Sequence, residues 1–169
     1  MRHHSVSKDE FAAFYAADKD RCLRAAIAGG MRRDQAEDAV AEAFARAWAR
    51  WRTVRSHRSP AAWVVRTAVN ADISWWRKRR REVFSESTPN ATYVQPEGST
   101  DLTTAIRGLP RRQREVVVLR YLLDLDTAAT ADELGIATGT VTAHLHHALA
   151  ALREQLAHEQ DTETEEVNA

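Results

Sequence analysis

The chain has 169 residues, 44% of them apolar, with 24 basic and 24 acidic side chains that cancel to a net charge of zero. That length admits one domain or two small ones, and the single cysteine, Cys22, excludes a disulfide-built fold and is expected to pack as a small apolar side chain. No apolar run is long enough to cross a bilayer and the start does not read as a signal peptide, so the expected setting is reducing and cytoplasmic, with no membrane insertion.

Residues 1–7 lack periodicity and are expected to fray. A helix is predicted over 8–28, with Phe11, Phe14, Tyr15, Leu23 and Ile27 on its apolar side. Asp9 and Glu10 suit its first turn, and Gly29 and Gly30 stop it. A second helix is predicted over 33–51, with Asp34 as cap and Glu37 three residues on, an approximate capping box. Ala36, Val40, Ala43, Ala47 and Trp51 make one face of it, with Phe44 and Trp48 beside. A loop, TVRSHRS at 53–59, leads to PAAWVVRTAVNADISWWRKRRR at 60–81. Proline suits the first turn of a helix, and Trp63, Val65, Val69, Ile73 and Trp76 recur near helical spacing. Trp75 and Trp76 then run into Arg77, Lys78, Arg79, Arg80 and Arg81. Aromatic faces beside dense positive charge suit unstacked bases and a phosphate backbone. Taken alone, the same run also fits a helix that buries its tryptophans and ends in a solvated basic tail.

Residues 82–101, with two prolines, a glycine, several Ser/Thr and no helical period, read as a linker between two lobes. The second lobe, 102–157, is helical again. A short helix ends at Gly108, and Pro110 opens another to about Leu123, with Val116, Val117, Leu119 and Tyr121 available for burial. Asp126 stands where an N-cap belongs, before a helix over 127–134 that Gly135 ends. The last helix runs over 138–156 on a stripe of Val141, Leu145, Ala148, Leu149, Leu152 and Leu156. Residues 158–169 read as a disordered acidic tail. No stretch alternates as a strand does. The expected fold class is therefore all-α, two small helical domains joined by an extended linker.

The zero net charge hides a strong segregation: +9 over 1–81, −4 over 82–101, zero over 102–157 and −5 over 158–169. A basic half with anionic segments attached points to nucleic acid. Helix, tight turn at Gly135, helix is the helix-turn-helix arrangement, whose second helix offers its N-terminal residues to base edges in the major groove. Here these are Thr138, Gly139, Thr140, Thr142, Ala143, His144, His146 and His147. An ordinary helical hairpin has the same pattern.

LPRRQREVVVLRY, then ADELGIATGTV, then HLHHALAALR resembles region 4 of bacterial extracytoplasmic-function sigma factors, the small promoter-recognition subunits of RNA polymerase. AEDAVAEAFARAWARW and AAWVVRTAVNADISWWRKRRR resemble their region 2. The resemblance implies a region 2 domain over 8–81, a linker over 82–101 and a region 4 domain over 102–157. It implies that the loop Arg55, Ser56, His57, Arg58 and Ser59 holds a base flipped from the non-template strand, that Asn70 helps read the −10 element, and that Trp75 and Arg77 to Arg81 complete that interface. Arg114, Thr138, Thr140, Thr142, Ala143, His144, His146 and His147 are implied at the −35 element. Asp38, Glu42, Phe44 and Trp48 fall in the segment that docks on the polymerase clamp, with Phe44 and Trp48 partly core. The implied partners are core RNA polymerase at its clamp and flap regions, promoter DNA and an anti-sigma factor; no cofactor is implied.

The chain departs from the family pattern at several positions. Ala41 replaces a usual amide, and Thr130 a usual aliphatic residue. Ala137 replaces a serine cap, leaving Thr138 to cap instead. Thr142, Ala143, His144 and His147 stand where basic or hydroxyl residues are usual, which implies an unusual −35 sequence or a weak contact there.

Other classes fit less well. There is no phosphate-binding glycine loop, no HExxH and no nucleophile–base arrangement, so the chain is not expected to be an enzyme. His144 and His147 share a helix face but no Cys or carboxylate accompanies them. The runner-up is a stand-alone helix-turn-helix regulator, which would need a dimerisation element to read two half-sites.

Overall fold

The computed structural model describes the backbone of residues 2–82 and 101–167, and the side chains of 7–71 and 102–157. Of the expected linker at 82–101, Glu82 and Asp101 belong to helices, and residues 83–100 lie outside the described residues, as do the side chains of Trp75 and Arg77 to Arg81. The fold is all-α, with no strand among the described residues. It divides into two compact units, one built on the helices before residue 83, the other on those from residue 101 onward.

The first unit holds α1 (Arg2–Ala28), α2 (Arg33–Ala49), α3 (Trp51–Val54) and α4 (Pro60–Glu82). α1 begins at Arg2, not at residue 8: once a helix is nucleated, each added residue gains a bond, and 2–7 contain no Gly or Pro to stop it. α2 packs on α4, and both bury small residues, Ala36, Ala43 and Ala47 from one, Ala61, Val64 and Ala68 from the other. Cys22 is fully buried, its thiol donating to the Ala61 carbonyl at 3.7 Å, so it packs as expected.

The expected capping box does not form. Arg32 occupies the N-cap without a side-chain bond, and Asp34 lies two residues past it, held by the Arg32 guanidinium at 3.2 Å. Partial desolvation pushes the Asp34 carboxyl up, but the Gln35 and Asp34 backbone N–H groups and Arg32 outweigh it and hold it below its ordinary value. The second helix also ends early. Arg50 leaves the helical region (φ −120°, ψ 23°), and a new short helix starts at Trp51 and includes Thr53 and Val54, which leaves 55–59 as the loop.

The break seats Trp51 in an aromatic cluster. Phe14 stacks on it with centroids 5.2 Å apart, and Phe11 meets both Trp51 and Trp48 at 5.1 Å. Phe44 closes the far side against Phe14 at 5.4 Å and Tyr15 at 5.0 Å. Such pairs contribute about 0.5–1.5 kcal/mol each beyond the area they bury. They tie α1 to the α2–α3 corner.

The second unit holds α5 (Asp101–Gly108), α6 (Arg111–Val117), α7 (Thr127–Leu134) and α8 (Thr138–Val167). After α6 the backbone widens over Val118–Leu122, where the Leu123 N–H reaches the Val118 carbonyl five residues back at 3.1 Å. One extra residue in a turn rotates the chain beyond it by about 100°. Val116, Val117 and Val118 are buried, but Tyr121, expected inside, is 60% exposed. Asp126 caps α7 by accepting from the Ala129 N–H at 2.7 Å, and Gly135 ends it in the left-handed conformation (φ 63°). Val116, Ala131 and Val141 form the core, with Leu134, Ile136 and Leu145 packed against it. Thr130 is fully buried and its hydroxyl donates to the Asp126 carbonyl at 2.8 Å, so a polar residue is tolerated where an aliphatic one is usual. α8 continues to Val167, beyond residue 156 and through the segment expected to be disordered; that segment contains no Gly or Pro. No described helix is long and apolar enough to cross a membrane.

Candidate nucleic-acid interface

The loop at 55–59 is fixed by its own hydrogen bonds. The Arg55 N–H donates to the Trp51 carbonyl at 2.9 Å, and the His57 N–H to the Val54 carbonyl at 3.0 Å. The Ser56 N–H and hydroxyl both donate to the Thr53 carbonyl, at 3.2 and 2.8 Å. The His57 Nδ1 faces the Ser59 N–H at 3.3 Å and the Ser59 carbonyl at 3.1 Å. The Ser59 hydroxyl accepts from the Ala62 N–H at 3.1 Å and so caps α4, with Pro60 as its first residue. Of the five loop residues expected to bind DNA, Ser56 and Ser59 thus spend their hydroxyls on the turn itself. Arg55 and Arg58 are exposed.

Asn70 is exposed on α4, about 15 Å along the axis from Pro60. Arg66, one turn earlier on the same face, is exposed too. The sequence reading missed Arg66, although its i, i+4 spacing from Asn70 is visible in the sequence. The Oε2 of Glu10, which the sequence placed in the first turn of a helix, lies 3.0 Å from the Arg55 Nη1. The helix backbone continues through 75–81, the stretch that carries Trp75 and the basic run.

On α2, Asp38 and Glu42 are exposed one turn apart, with Glu42 ion-paired to Arg46. Trp48 is 42% exposed. Phe44, expected to dock on the polymerase, is only 3% exposed and covered by the Phe14 and Tyr15 rings, so it packs α2 against α1 and offers no surface to a partner.

In the second unit the start of α8 is open. Thr138, Thr140, Thr142, Ala143, His146 and His147 are exposed, while His144 is half-buried. The Val141 N–H bonds to the Ala137 carbonyl at 3.1 Å, which places Ala137 at the cap. Thr138 is therefore the first helical residue and not the cap, and its carbonyl accepts from the Thr142 hydroxyl at 3.1 Å. The His146 and His147 rings meet edge-on, 5.7 Å apart. Arg114 is half-buried and donates through Nη1 to the Arg107 carbonyl at 2.7 Å, at the end of α5. No group of three or more metal-binding side chains occurs among the described residues.

Two sequence profiles match the chain in order: Sigma-70 region 2 over residues 21–82 and Sigma-70 region 4 over residues 99–152. The RNA polymerase sigma-E factor of Streptomyces coelicolor is 35% identical over 152 residues, covering 87% of this chain and 86% of that one. The ECF RNA polymerase sigma factor SigL of Mycobacterium tuberculosis is 35% identical over 132 residues, 70% of this chain and 73% of that one. Among solved structures, the sigma factor RpoE in complex with the anti-sigma factor NepR from Bartonella quintana superposes with a TM-score of 0.69 at 26% identity, covering 88% of this chain and 97% of that one. CnrH in complex with the cytosolic domain of CnrY shares the fold, with a TM-score of 0.60 at 20% identity and 89% of each chain covered. Two regions matched in one chain favour a promoter-recognition subunit over a stand-alone helix-turn-helix regulator.

Proposed function

The chain belongs to the sigma-70 family, among the extracytoplasmic-function sigma factors of RNA polymerase, and from that premise we propose how its residues divide the work. It binds core RNA polymerase and promoter DNA and directs the initiation of transcription. The bond-making chemistry belongs to the polymerase, and the setting is the cytoplasm.

Residues 8–81 serve the −10 element and residues 102–157 the −35 element. The observation that carries this division is the self-bonded loop at 55–59, which opens the helix that presents Arg66 and Asn70 outward. Extruding a base from a duplex costs a few kcal/mol, and a receptor that is already ordered adds no ordering cost of its own. Ser56, His57 and Ser59 shape the turn, Arg55 and Arg58 face the strand, and Asn70 reads a base edge with its amide. Trp75 and Arg77 to Arg81 stack and neutralise phosphates further along. Asp38, Glu42 and Trp48 dock on the clamp. The residues 82–101 follow the cation-lined path to the RNA exit, where their −4 charge fits, and the second unit sits at the flap. There the exposed start of α8 enters the major groove of the −35 duplex. An anti-sigma factor is a further partner, as for the structural neighbour solved with the anti-sigma factor NepR.

Reconstitution with core polymerase tests the assignment. The full chain should direct run-off transcription, and failure to bind core polymerase would overturn it. Asn70→Ala should leave core binding intact and reduce open complexes. Unchanged permanganate reactivity of the melted region in that variant would remove Asn70 from the interface.

A further inference from the structure

Arg55 opens the base-holding loop, yet its guanidinium is already engaged: Nη1 lies 3.0 Å from Oε2 of Glu10, a residue 45 positions earlier on α1. Both side chains are about half exposed, 50% for Arg55 and 42% for Glu10. Trp51 fixes both ends of this pair. Its carbonyl holds the Arg55 N–H at 2.9 Å. Its ring packs at 5.1 Å on Phe11, the residue after Glu10. The pair therefore forms between two anchored backbones and not between wandering side chains.

An exposed ion pair adds little to stability. Its consequence lies in the charge that Arg55 can show to DNA. A bare arginine attracts phosphate in every sequence alike, and that attraction carries no sequence information. A carboxylate at 3.0 Å cancels most of that pull, while the other guanidinium N–H groups keep their directional hydrogen bonding. Specificity is a difference of affinities, so weakening the non-selective part of an interaction raises it.

We infer that Glu10 is a specificity-determining residue of the −10 interface: it cancels the non-selective attraction of Arg55 for phosphate and holds the guanidinium at the mouth of the loop. This rests on the reading of 55–59 as the base-holding loop. It makes capture there depend on base contacts more than on charge. Glu10 thus joins the site through Arg55, as a positioning residue.

The test uses the full chain in holoenzyme with core polymerase and two single-stranded DNA probes. One is a random-sequence pool, and the other is the strand that wild-type holoenzyme selects from that pool. Glu10→Gln keeps the shape and removes the charge. Affinity for the pool should rise about fivefold at low salt, the ceiling for an exposed pair. Affinity for the selected strand should rise less, so the ratio of the two falls. The slope of log affinity against log salt should steepen by about 0.7, as for one more neutralised phosphate on a single strand. Arg55→Gln should weaken both probes and flatten the slope. An unchanged ratio or slope in Glu10→Gln, or a uniform loss of both affinities, overturns the inference and leaves the pair a strut between helices. If Arg55→Gln changes nothing either, the loop assignment itself fails; if only Glu10→Gln is silent, that assignment stands and the inference alone falls.

Discussion

Cys22 sits with its thiol against the Ala61 carbonyl, and burial pushes that thiol from its ordinary 9.0 up to about 12, with the neighbouring Asp18 charge adding to the shift. Below pH 9 both folded and unfolded chains keep the proton. Above it the unfolded chain loses the proton first, so the contribution to stability falls as pH rises from about 9 toward 12. At pH 8 the native thiol should react with iodoacetamide far more slowly than after denaturation; labelling at the rate of an unfolded chain would contradict the packing. Cys22 was readable from residue type alone, since a lone cysteine in such a chain packs as a small apolar group. Phe44 and Trp48 show where that kind of reading stops. They are one turn apart on one helix, and periodicity treats them alike. What separates them is α1, which covers Phe44 with two rings and Trp48 with one. The Glu42–Arg46 pair follows an i, i+4 rule and is visible in the sequence, whereas the Glu10–Arg55 pair spans 45 residues and follows no local rule.

The α7–turn–α8 element is specified by local chemistry at both ends of its first helix, which is why it could be read in advance. Asp126 satisfies the Ala129 N–H, and Gly135 takes the left-handed conformation that side-chain-bearing residues resist. A Cβ at Gly135 would meet nothing within 4 Å, so substitution there costs backbone strain alone. Gly135→Ala should destabilise the second unit by about 1 kcal/mol, and Gly135→Asn by less, because Asn tolerates that conformation. Amide exchange should accelerate in α7 and α8, while α2 and α4 stay protected; equal protection in wild type and Gly135→Ala would show that the turn is not under that constraint. Elsewhere the elements were less legible. The break at Arg50 and the widened turn at Val118–Leu122 contain no Gly or Pro, so nothing in their sequence marks them. Burial decides them: Trp51 is drawn into the aromatic cluster, and Val116, Val117 and Val118 are all taken into the core. The late end of α8 comes from the opposite cause, a run without a stop signal.

At the scale of the whole molecule the charges cancel but do not mix. The +9 block carries the proposed −10 interface, while −4 and −5 lie in segments without an assigned DNA contact. For the chain free of polymerase, the tethered anions are expected to compete with DNA for the basic block, because a tether keeps them at high effective concentration. The competition is between exposed charges, so it should weaken as the Debye length falls from about 10 Å at 0.1 M salt to 3 Å at 1 M. Removing residues 158–169 should therefore raise the DNA affinity of the isolated chain at low salt, and the gain should shrink at high salt. The deletion starts beyond Leu152, the last buried apolar residue of α8 among those whose side chains are described, so the core formed by the described residues is untouched. It does shorten α8, whose backbone reaches Val167, and so a second variant separates charge from length. Replacing Glu159, Glu163, Glu165 and Glu166 by Gln and Asp161 by Asn keeps the full chain and removes the same five charges. If charge is the cause, both variants bind DNA more tightly at low salt and converge with wild type at high salt. A gain in the deletion alone would assign the effect to the length of α8, and no gain in either would remove the tail from the control of DNA binding.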